Sequence, residues 1–548
     1  MQTELQAKGT AEPTAAVTKV DVLIVGAGFS GCYLLHKLRS AGFKVKIIEA
    51  GNGYGGVWHW NCYPGARVDS PVPIYEYDIP EVWRSWSWPE MFPSGPQIRE
   101  YFHHVDRKLD LSKDTIWNTK VAAAEWVEKD GEWIVSSDDS REFRSQHLIM
   151  ATGFAAKRSF PDWPGLANFQ GEIHHSSFWP YEGIQLEGKR VGVIGTGSTG
   201  LQIAQTIVDS VGHLTVFQRT PNMALPLLQD KLDEEEEEMR KRKLPEQFRA
   251  RLTTFAGYLY DSVDRGTFTD TPEMREAFYN ELWAKGGFHF WLANYNDLLS
   301  NIEANNEAYT FWVKKVRQRI QDPTIAGILA PLTPPHPFGT KRPALEWRWY
   351  DMFNEKHVQL VDLQATPVDC VTEKGIVTKD GKLHELDVLA LATGFDAITG
   401  GLNNIDIKSR HGNLLREKWA GGARTALGMM VSDYPNMYML YGPQGPTAFA
   451  NGPSCIEIQG DWLVEVLKDL RQKNLRTIDP KPTAEERWER LIEDMTSKTL
   501  FPLADSWYMG ANVPGKKRQM LNYTGGIPAY AKELERARRQ GYDEFNLS

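Results

Sequence analysis

The sequence predicts an α/β protein with two dinucleotide-binding, Rossmann-like domains. In two places, residues 22–31 and 191–200, a run of β-branched residues leads into a glycine-rich turn and then into a helical pattern. The chain has 548 residues, which is enough for two or three packed cores. Two such patterns in one chain predict two bound dinucleotides.

The first glycine turn contains Gly26, Gly28 and Gly31. In this pattern the first glycine permits a tight turn, the second lets the backbone approach a pyrophosphate, and the third lets the helix pack on the strand. A helix predicted at 32–40 and a strand predicted at 44–48 lead to Glu49, about 20 residues after the glycines. A carboxylate there accepts hydrogen bonds from ribose hydroxyls and repels a 2′-phosphate, so this site favours FAD or NAD over NADP.

The second glycine turn lacks that acid. The turn consists of Gly195, Thr196, Gly197, Ser198, Thr199 and Gly200. The strand predicted after it, at 213–217, is followed by Arg219 and Thr220. An arginine at the ribose-binding offset pairs with a 2′-phosphate, so the second nucleotide is predicted to be NADP(H). Because one chain has no productive use for two identical hydride carriers, the first nucleotide is then FAD.

The patterns outside the glycine turns divide the chain into further parts. We expect a disordered tail at 1–20, an FAD-binding domain at 21–150 and 390–548, an NADP-binding domain at 151–225 and 336–389, and a helical insertion at 226–335. Helical periodicity in the insertion predicts helices at 232–244, 272–284 and 306–320. In the first of these, acids at 234–238 precede bases at 240–243, so pairs such as Glu236 with Arg240 are expected along a solvated helix face.

Composition excludes several classes of function. A net charge of −9 and a pI near 5.9 argue against nucleic-acid binding, which requires a basic surface. The four cysteines are scattered, without a CxxC pair or metal-ligand spacing, so we expect reduced thiols and no metal site. We find no signal-peptide core and no apolar run of membrane-spanning length. These features predict a cytoplasmic protein without a membrane partner, and they leave its oligomeric state open, a monomer included.

Two longer motifs carry a family resemblance. Residues 169–180 read FQGEIHHSSFWP and match FxGxxxHxxxW followed by Pro or Asp. Residues 55–69 read GGVWHWNCYPGARVD. They match a second signature, [A/G]GxWxxxx[F/Y]P[G/M]xxxD, at every specified position. In both motifs the sequence resembles the type I Baeyer–Villiger monooxygenases. The resemblance implies that NADPH reduces FAD, that a C4a-peroxyflavin forms with O2, and that a small-molecule ketone becomes an ester or lactone.

The resemblance also implies roles for individual residues. Arg342 is the expected catalytic arginine, and Asp69 is expected to hold it at the reactive face of the flavin. The remaining implied contacts are Val57, Trp58, His59, Trp60 and Tyr75 with the flavin, Val121 with the adenine, Lys341 with the 2′-phosphate beside Arg219, Trp507 with bound NADP, and Thr447, Ala448 and Phe449 with the substrate. His175 either links domain orientation to cofactor binding or is a structural histidine.

Three other readings share parts of this pattern. A flavin monooxygenase that oxidises nitrogen or sulfur has the same two domains, but relatives of that class usually carry Tyr or Phe at the position of Trp179. A disulfide reductase requires a redox cysteine pair, which the sequence lacks. A non-catalytic nucleotide sensor would have no use for Asp69, Lys341, Arg342 and Trp507 together.

Overall fold

The computed structural model describes residues 17–548. Its strands are β1 Thr18–Val25, β2 Val45–Ile48, β3 Thr115–Ile116, β4 Val121–Val127, β5 Glu132–Ser137, β6 Glu142–Met150, β7 Glu172–His175, β8 Arg190–Ile194, β9 His213–Gln218, β10 Leu225–Pro226, β11 Leu345–Glu346, β12 Val358–Asp362, β13 Val368–Thr372, β14 Gly375–Thr378, β15 Leu383–Glu385, β16 Val388–Leu391, β17 Asp406–Lys408, β18 Met437–Met439, β19 Ile478–Pro480 and β20 Phe545–Leu547.

The helices alternate with these strands in both units and cluster between β10 and β11. They are α1 Phe29–Ser40, α2 Val57–Trp60, α3 Pro80–Trp83, α4 Gly95–Leu109, α5 Ser198–Ile207, α6 Glu234–Ala250, α7 Pro272–Lys285, α8 His289–Leu292, α9 Ile302–Arg317, α10 Pro323–Leu329, α11 Gly400–Asn403, α12 Leu415–Lys418, α13 Gly452–Gln472, α14 Pro482–Ser497 and α15 Gly526–Arg539. The α/β class and the two nucleotide-binding units that the sequence predicts are confirmed.

The first unit is built on a sheet with the order β17-β4-β5-β6-β1-β2-β3, in which β18 also pairs with β6. Strand β1 lies between β2 and β6 and runs parallel to both, with Val25 opposite Ile48 and Met150. Its carboxyl end opens directly into the first glycine turn. The pairs β4–β5 and β5–β6 are antiparallel, so the sheet is mixed. Parallel strands such as β1 and its neighbours bind ligands at their carboxyl ends, so the turn lies where a nucleotide is expected.

The second unit is a five-stranded sheet with the order β12-β9-β8-β16-β7, and all of its pairings are parallel. Strand β16 includes residues 390 and 391, which the predicted domain division assigns to the first unit. The boundary therefore lies after Leu391, because the apolar run 388–391 is fully buried between β7 and β8. At the other end of the chain, β1 begins at Thr18, so residues 18–20 belong to the sheet, and the rest of the predicted tail up to residue 16 lies outside the described residues.

The helical insertion is confirmed as α6 to α10. The charged run in α6 is in large part the solvated face that the sequence predicts, since residues 234–236, 238, 242 and 243 are exposed, but Glu237 and Arg240 depart from it. Arg240 is nearly buried and pairs with Glu237, 2.7 Å away, and with Glu76 of the first unit, 2.5 Å away. Glu236 instead closes a capping box with Asp233. Buried charges require such partners, and the Glu76 partner is remote in sequence and therefore invisible to an i,i+4 analysis.

Helix α6 also continues through Pro245, whereas the sequence predicts an end at residue 244. An interior proline costs a helix about 3 kcal/mol. Leu244 and Phe248 on either side of it are buried against Trp83, and this packing offsets the cost. The extra turn carries the chain to Arg251, which is fully buried.

No helix among residues 17–548 is long and apolar enough to cross a membrane.

Candidate active site

The two glycine turns have the same backbone geometry. Gly26 and Gly195 have φ values of 110° and 100°, a region that side chains rarely allow. A Cβ atom added to Gly31 would overlap the carbonyl oxygen of Gly26, and one added to Gly200 would overlap that of Gly195. Each turn thus needs its first and third glycines for its own closure, which agrees with the roles expected from the sequence.

Both turns present free backbone N–H groups to a ligand. Gly28 is the N-cap residue of α1 and Gly197 is that of α5, and neither glycine offers a side chain to cap the helix. No described atom apart from the chain neighbours lies within 4 Å of where a Cβ of Gly197 would be, so the backbone there is open to close approach. Ser198 and Thr199 form the first turn of α5. A helix start of this kind fits a pyrophosphate, and hence the two predicted dinucleotides.

Glu49 follows β2 directly and lies beside the first glycine turn. Its carboxylate accepts hydrogen bonds from the backbone N–H groups of Ala27, at 2.7 Å, and Gly51, at 2.8 Å. Burial raises the pKa of Glu49, and these backbone donors oppose the shift. A carboxylate held in this way keeps acceptor capacity for ribose hydroxyls. Val121, the predicted adenine contact, is buried at the start of β4.

Two cations lie together at the second unit. Arg219 is exposed directly after β9, and burial together with the positive charge of Arg219 lowers the pKa of Lys341. Neither cation forms an ion pair with an acid of residues 17–548. Thr196 Oγ1 donates to the carbonyl oxygen of Thr220 at 2.8 Å and ties the glycine turn to this corner. The charge of Asp505 opposes the lowered pKa of Lys341 without forming an ion pair with it. Two like charges without an ion-paired carboxylate favour an anionic ligand, and the 2′-phosphate of NADP has that charge.

The signature segment 55–69 packs between the two units. Its short helix α2, Val57–Trp60, includes His59 and is tied to the first unit through Trp58, whose Nε1 donates to the Tyr75 hydroxyl at 3.0 Å. Farther along, the Tyr63 hydroxyl donates to Gln202 of α5 at 2.9 Å. The Gln202 amide in turn donates to the carbonyl oxygen of Arg67 at 2.9 Å. Helix α5 of the second unit therefore helps to fix the end of the segment, where Asp69 lies.

Asp69 and Arg342 meet in a bidentate ion pair. Arg342 Nε donates to Asp69 Oδ2 at 2.7 Å, and Nη2 donates to Oδ1 at 2.9 Å. Arg342 Nη2 also lies 3.4 Å from the Tyr258 hydroxyl, and Nη1 lies 3.3 Å from the carbonyl oxygen of Ala448. A guanidinium has five N–H donors. Four of them are thus engaged within residues 17–548, and one hydrogen on Nη1 remains for a ligand.

Aromatic rings surround the guanidinium. Its central carbon lies 4.8 Å from the ring centre of Phe288 and 5.9 Å from that of Trp291, both buried residues of the helical insertion. Burial lowers the pKa of Arg342, but the charge and hydrogen bond of Asp69, together with Tyr258 and Tyr508, outweigh that effect and raise the pKa well above its ordinary value. Arg342 is therefore a permanent cation in a partly dry pocket, 21% exposed in its side chain.

The three predicted substrate-wall residues lie next to this pair. The Thr447 hydroxyl donates to Gly442 at 2.7 Å and fixes the loop, and Ala448 contacts Arg342 through its carbonyl oxygen. Phe449 packs against Tyr508, with ring centres 4.8 Å apart. The Tyr508 hydroxyl is buried without a hydrogen-bond partner among the described residues. An unsatisfied buried hydroxyl at this place fits a site that receives a polar ligand.

Trp507, the expected NADP contact, lies in the loop segment 506–516. Its ring stacks on Phe154, with centres 5.5 Å apart and planes 12° apart. Farther along the segment, Lys516 donates to Asp396 at 2.8 Å and Asn512 donates to the carbonyl oxygen of Phe395 at 2.8 Å. Phe154 and Asp396 follow the two Ala-Thr-Gly turns that connect the units. The segment is thus attached at the crossover between the two units.

His175 ends β7 and is buried. Its Nδ1 accepts from the backbone N–H of Ser177 at 3.3 Å, which leaves Nε2 to donate to the carbonyl oxygen of Gly394, 3.3 Å away. Burial lowers the pKa of His175. These contacts satisfy both ring nitrogens and join β7 to the second Ala-Thr-Gly turn, at Gly394. They are compatible with a structural histidine and with a link between domain orientation and cofactor binding.

Sequence reasoning missed three residues of this site. Ser70 follows the signature segment, Tyr258 lies in the insertion, and Phe154 follows the first Ala-Thr-Gly turn. Tyr258 gave no signal in the sequence, because it reaches Arg342 across 84 residues and belongs to no motif.

Comparison with known proteins covers almost the whole chain. A family model described as pyridine nucleotide-disulphide oxidoreductase matches residues 20–265. The chain is 46% identical over 530 residues to the cyclopentanone 1,2-monooxygenase of Comamonas sp. (strain NCIMB 9872), with 97% of this chain and 96% of that protein covered. It matches a closed crystal structure of cyclohexanone monooxygenase with a TM-score of 0.94 and 34% identity, over 97% and 100% of the two chains. It also matches a crystal structure of OTEMO in complex with FAD and NADP with a TM-score of 0.93 and 35% identity, over 97% and 100%.

The disulphide chemistry in the name of the family model requires a cysteine pair. Cys32, Cys62, Cys370 and Cys455 are all free thiols, as the sequence predicts. The match therefore reports the shared nucleotide-binding fold and not a disulphide reductase.

Proposed function

Because the chain belongs to the type I, flavin-dependent Baeyer–Villiger monooxygenases and converts ketones to esters or lactones with O2 and NADPH, we propose that Arg342 and Asp69 are its catalytic pair. One observation carries this proposal. The bidentate contact with Asp69 and the contacts to Tyr258 and Ala448 use four of the five guanidinium donors, and the fifth is left for the substrate.

FAD and NADP(H) are the cofactors, and reduced FAD, when bound, supplies with O2 the oxygen donor for the ketone carbonyl. The remaining N–H of Arg342 stabilises the negative charge that develops on the carbonyl oxygen. A donor of this kind is worth about 3 kcal/mol, or about a hundredfold in rate. Phe288 and Trp291 strengthen the effect, because they keep water from the guanidinium.

Asp69 has two tasks in this proposal. It fixes the guanidinium through two parallel hydrogen bonds, a geometry that a lysine could not match. It also transmits domain position to the site, because the segment that ends in Asp69 is held by Gln202 of the second unit. The orientation of Arg342 thus depends on both nucleotide-binding units.

The cofactor-binding residues of the proposal divide between the units. FAD is held by Gly26, Gly28, Gly31, Glu49, Val57, Trp58, His59, Trp60, Asp69, Tyr75 and Val121. NADP(H) is held by Gly195, Thr196, Gly197, Ser198, Thr199, Gly200, Arg219, Thr220, Lys341, Arg342 and Trp507. The open helix starts at Gly28 and Gly197 support the two pyrophosphate positions.

The substrate is a small-molecule ketone, and Thr447, Ala448 and Phe449 form one wall of its pocket in this proposal. The position of these residues supports this assignment, since Ala448 contacts Arg342 and Phe449 packs on Tyr508. We also propose a cytoplasmic enzyme, because four free thiols suit a reducing compartment.

Product analysis tests the reaction. The holoenzyme is incubated with NADPH, oxygen-18 gas and a mixed panel of cyclic, linear and aromatic ketones and thioethers. We expect esters or lactones that carry one heavy oxygen, and the accepted ketones then define the size of the pocket. Labelled sulfoxides as the only products would instead establish a heteroatom oxygenase, and the ketone assignment would be wrong.

A further inference from the structure

We infer that Tyr258 and Ser70 are positioning residues that hold Arg342 in its working orientation. The two hydroxyls, both buried, link the far side of the ion pair: Tyr258 lies 2.7 Å from Ser70 Oγ, and Ser70 Oγ lies 3.3 Å from Asp69 Oδ1. The inference rests on the proposed role of Arg342. Neither residue belongs to a sequence motif of the family resemblance.

The four groups form a closed ring of hydrogen bonds, and the donor of each bond is fixed. Arginine can only donate and an ionised carboxylate can only accept. Arg342 Nη2 therefore donates to both Asp69 and Tyr258, so the Tyr258 hydroxyl must donate to Ser70, and the Ser70 hydroxyl donates to Asp69. Burial raises the pKa of Tyr258 to about 12, so the phenol keeps the proton that it donates.

The ring fixes the one donor that the substrate uses. Asp69 alone holds the guanidinium along one edge, through Nε and Nη2. Tyr258 engages the second hydrogen of Nη2, and Ala448 engages the first hydrogen of Nη1. The guanidinium plane is then held at three sides, and the last Nη1 hydrogen has a defined direction. Without the ring, the plane can tilt about the Asp69 edge.

The helical insertion holds Tyr258 firmly. The carbonyl oxygen of Tyr258 accepts from Thr254 at 2.6 Å, one turn after the end of α6. There Arg251 is fully buried, donates to the carbonyl oxygens of Ile74 and Glu76, and forms an ion pair with Glu457 of α13. The insertion thus contributes a buried anchor and a hydroxyl to the site of the first unit, in addition to shaping access to it.

The experiment compares holoenzyme variants in a double-mutant cycle. Tyr258→Phe, Ser70→Ala and the double variant are tested for ester formed per NADPH oxidised, with a ketone that the unchanged enzyme accepts. Tyr260→Phe is the matched control, since it removes a hydroxyl two residues away whose ring stacks on His289. Arg342→Ala is measured in parallel, and flavin content and the KM for NADPH report intact folding and nucleotide binding.

We expect each single variant to lower ester yield per NADPH by about three- to tenfold, the range of one hydrogen bond, with peroxide as the lost fraction. The KM for NADPH and the flavin content stay near those of Tyr260→Phe. Since either change opens the same ring, the double variant should lose no more than the larger single loss.

Any of three results would overturn the inference. Yields like that of Tyr260→Phe, or losses that multiply in the double variant, would show that the hydroxyls do not act as one ring, even if Arg342→Ala makes no ester. Ester formation by Arg342→Ala would remove the proposed role of Arg342 itself and the inference with it. If Tyr258→Phe does not fold, the ester yield per NADPH of Ser70→Ala alone tests the inference.

Discussion

The two nucleotide-binding units share one backbone design and differ in charge. In both, a parallel strand leads into a turn whose first glycine has a positive φ and whose third glycine lies against the carbonyl oxygen of the first. After the second strand, the first unit places the buried acceptor Glu49, whereas the second places the exposed cation Arg219. In the proposed assignment, the backbone binds a pyrophosphate in either unit, and one charge at the strand end selects the nucleotide.

In the proposed assignment, the second unit does not select its nucleotide alone. Lys341 comes from the loop that returns from the helical insertion, and the next residue, Arg342, pairs with Asp69 of the first unit. The proposal therefore gives two adjacent residues different partners, the 2′-phosphate for Lys341 and Asp69 for Arg342. Such an arrangement would couple the presence of the phosphate to the position of the proposed catalytic arginine.

The largest expected effect comes from the third glycines. Gly31→Ala and Gly200→Ala each drive a methyl group into a backbone carbonyl, which cannot move without opening the turn, at a cost of about 3 kcal/mol. We expect Gly31→Ala to be purified without flavin, and Gly200→Ala to keep its flavin but lose reduction by NADPH. Flavin absorbance and its bleaching by NADPH measure both.

Gly197→Ala separates the space for the ligand from the closure of the turn. Its φ of −68° and the open space around it let the turn accept a methyl group. The variant should fold and bind flavin normally and be impaired only for NADPH. Flavin loss in Gly200→Ala, with flavin retained in Gly31→Ala, would mean that the two nucleotides are assigned to the wrong units.

A smaller effect is expected at the charge that distinguishes the units. Arg219→Ala should weaken the binding of NADPH by about 1.5 to 3 kcal/mol, the contribution of a hydrogen bond to a charged group. The binding of NADH should stay unchanged. Steady-state KM values for the two nucleotides give the comparison. Equal losses for NADPH and NADH would show that Arg219 does not contact the 2′-phosphate.

The smallest effect concerns pH. Burial and the charge of Arg219 lower the pKa of Lys341, and an anion bound beside it would oppose that shift. As the pH rises through that lowered pKa, Lys341 loses its charge, and the binding of NADPH should weaken by about 1 kcal/mol.

Arg219→Ala removes the neighbouring cation, so the pKa of Lys341 rises and the weakening should move to higher pH. The KM for NADPH from neutral to alkaline pH, with NADH as the internal control, measures this shift. A profile that stays in place or moves to lower pH in Arg219→Ala would contradict the pairing of the two cations.

The sequence was most informative where structure depends on neighbours in the chain. The glycine turns, the strands that lead into them and the acid or arginine after the second strand are local patterns, because a Rossmann-like unit places its ligand contacts at fixed offsets. The pairing of Asp69 with Arg342 across 273 residues was accessible only through the family resemblance.

Features that depend on remote partners could not be predicted. The run of charges in α6 has the pattern of a solvated face, yet Glu76, far away in the chain, makes Arg240 a nearly buried residue. Pro245 signals a helix end, and only the packing of Phe248 on Trp83 shows why the helix continues. The same holds for Tyr258, whose contact with Arg342 exists because the insertion folds back over the first unit.

The most direct test of the account is the behaviour of the Arg342→Ala holoenzyme. Flavin reduction by NADPH without oxygen and ester formation in air are measured on the same preparation, with Arg348→Ala as the control, since Arg348 pairs with the exposed Asp209 away from the site. The account predicts that flavin is still reduced while ester formation falls about a hundredfold or more, because the oxyanion has lost its donor. Ester formation near that of Arg348→Ala would contradict it.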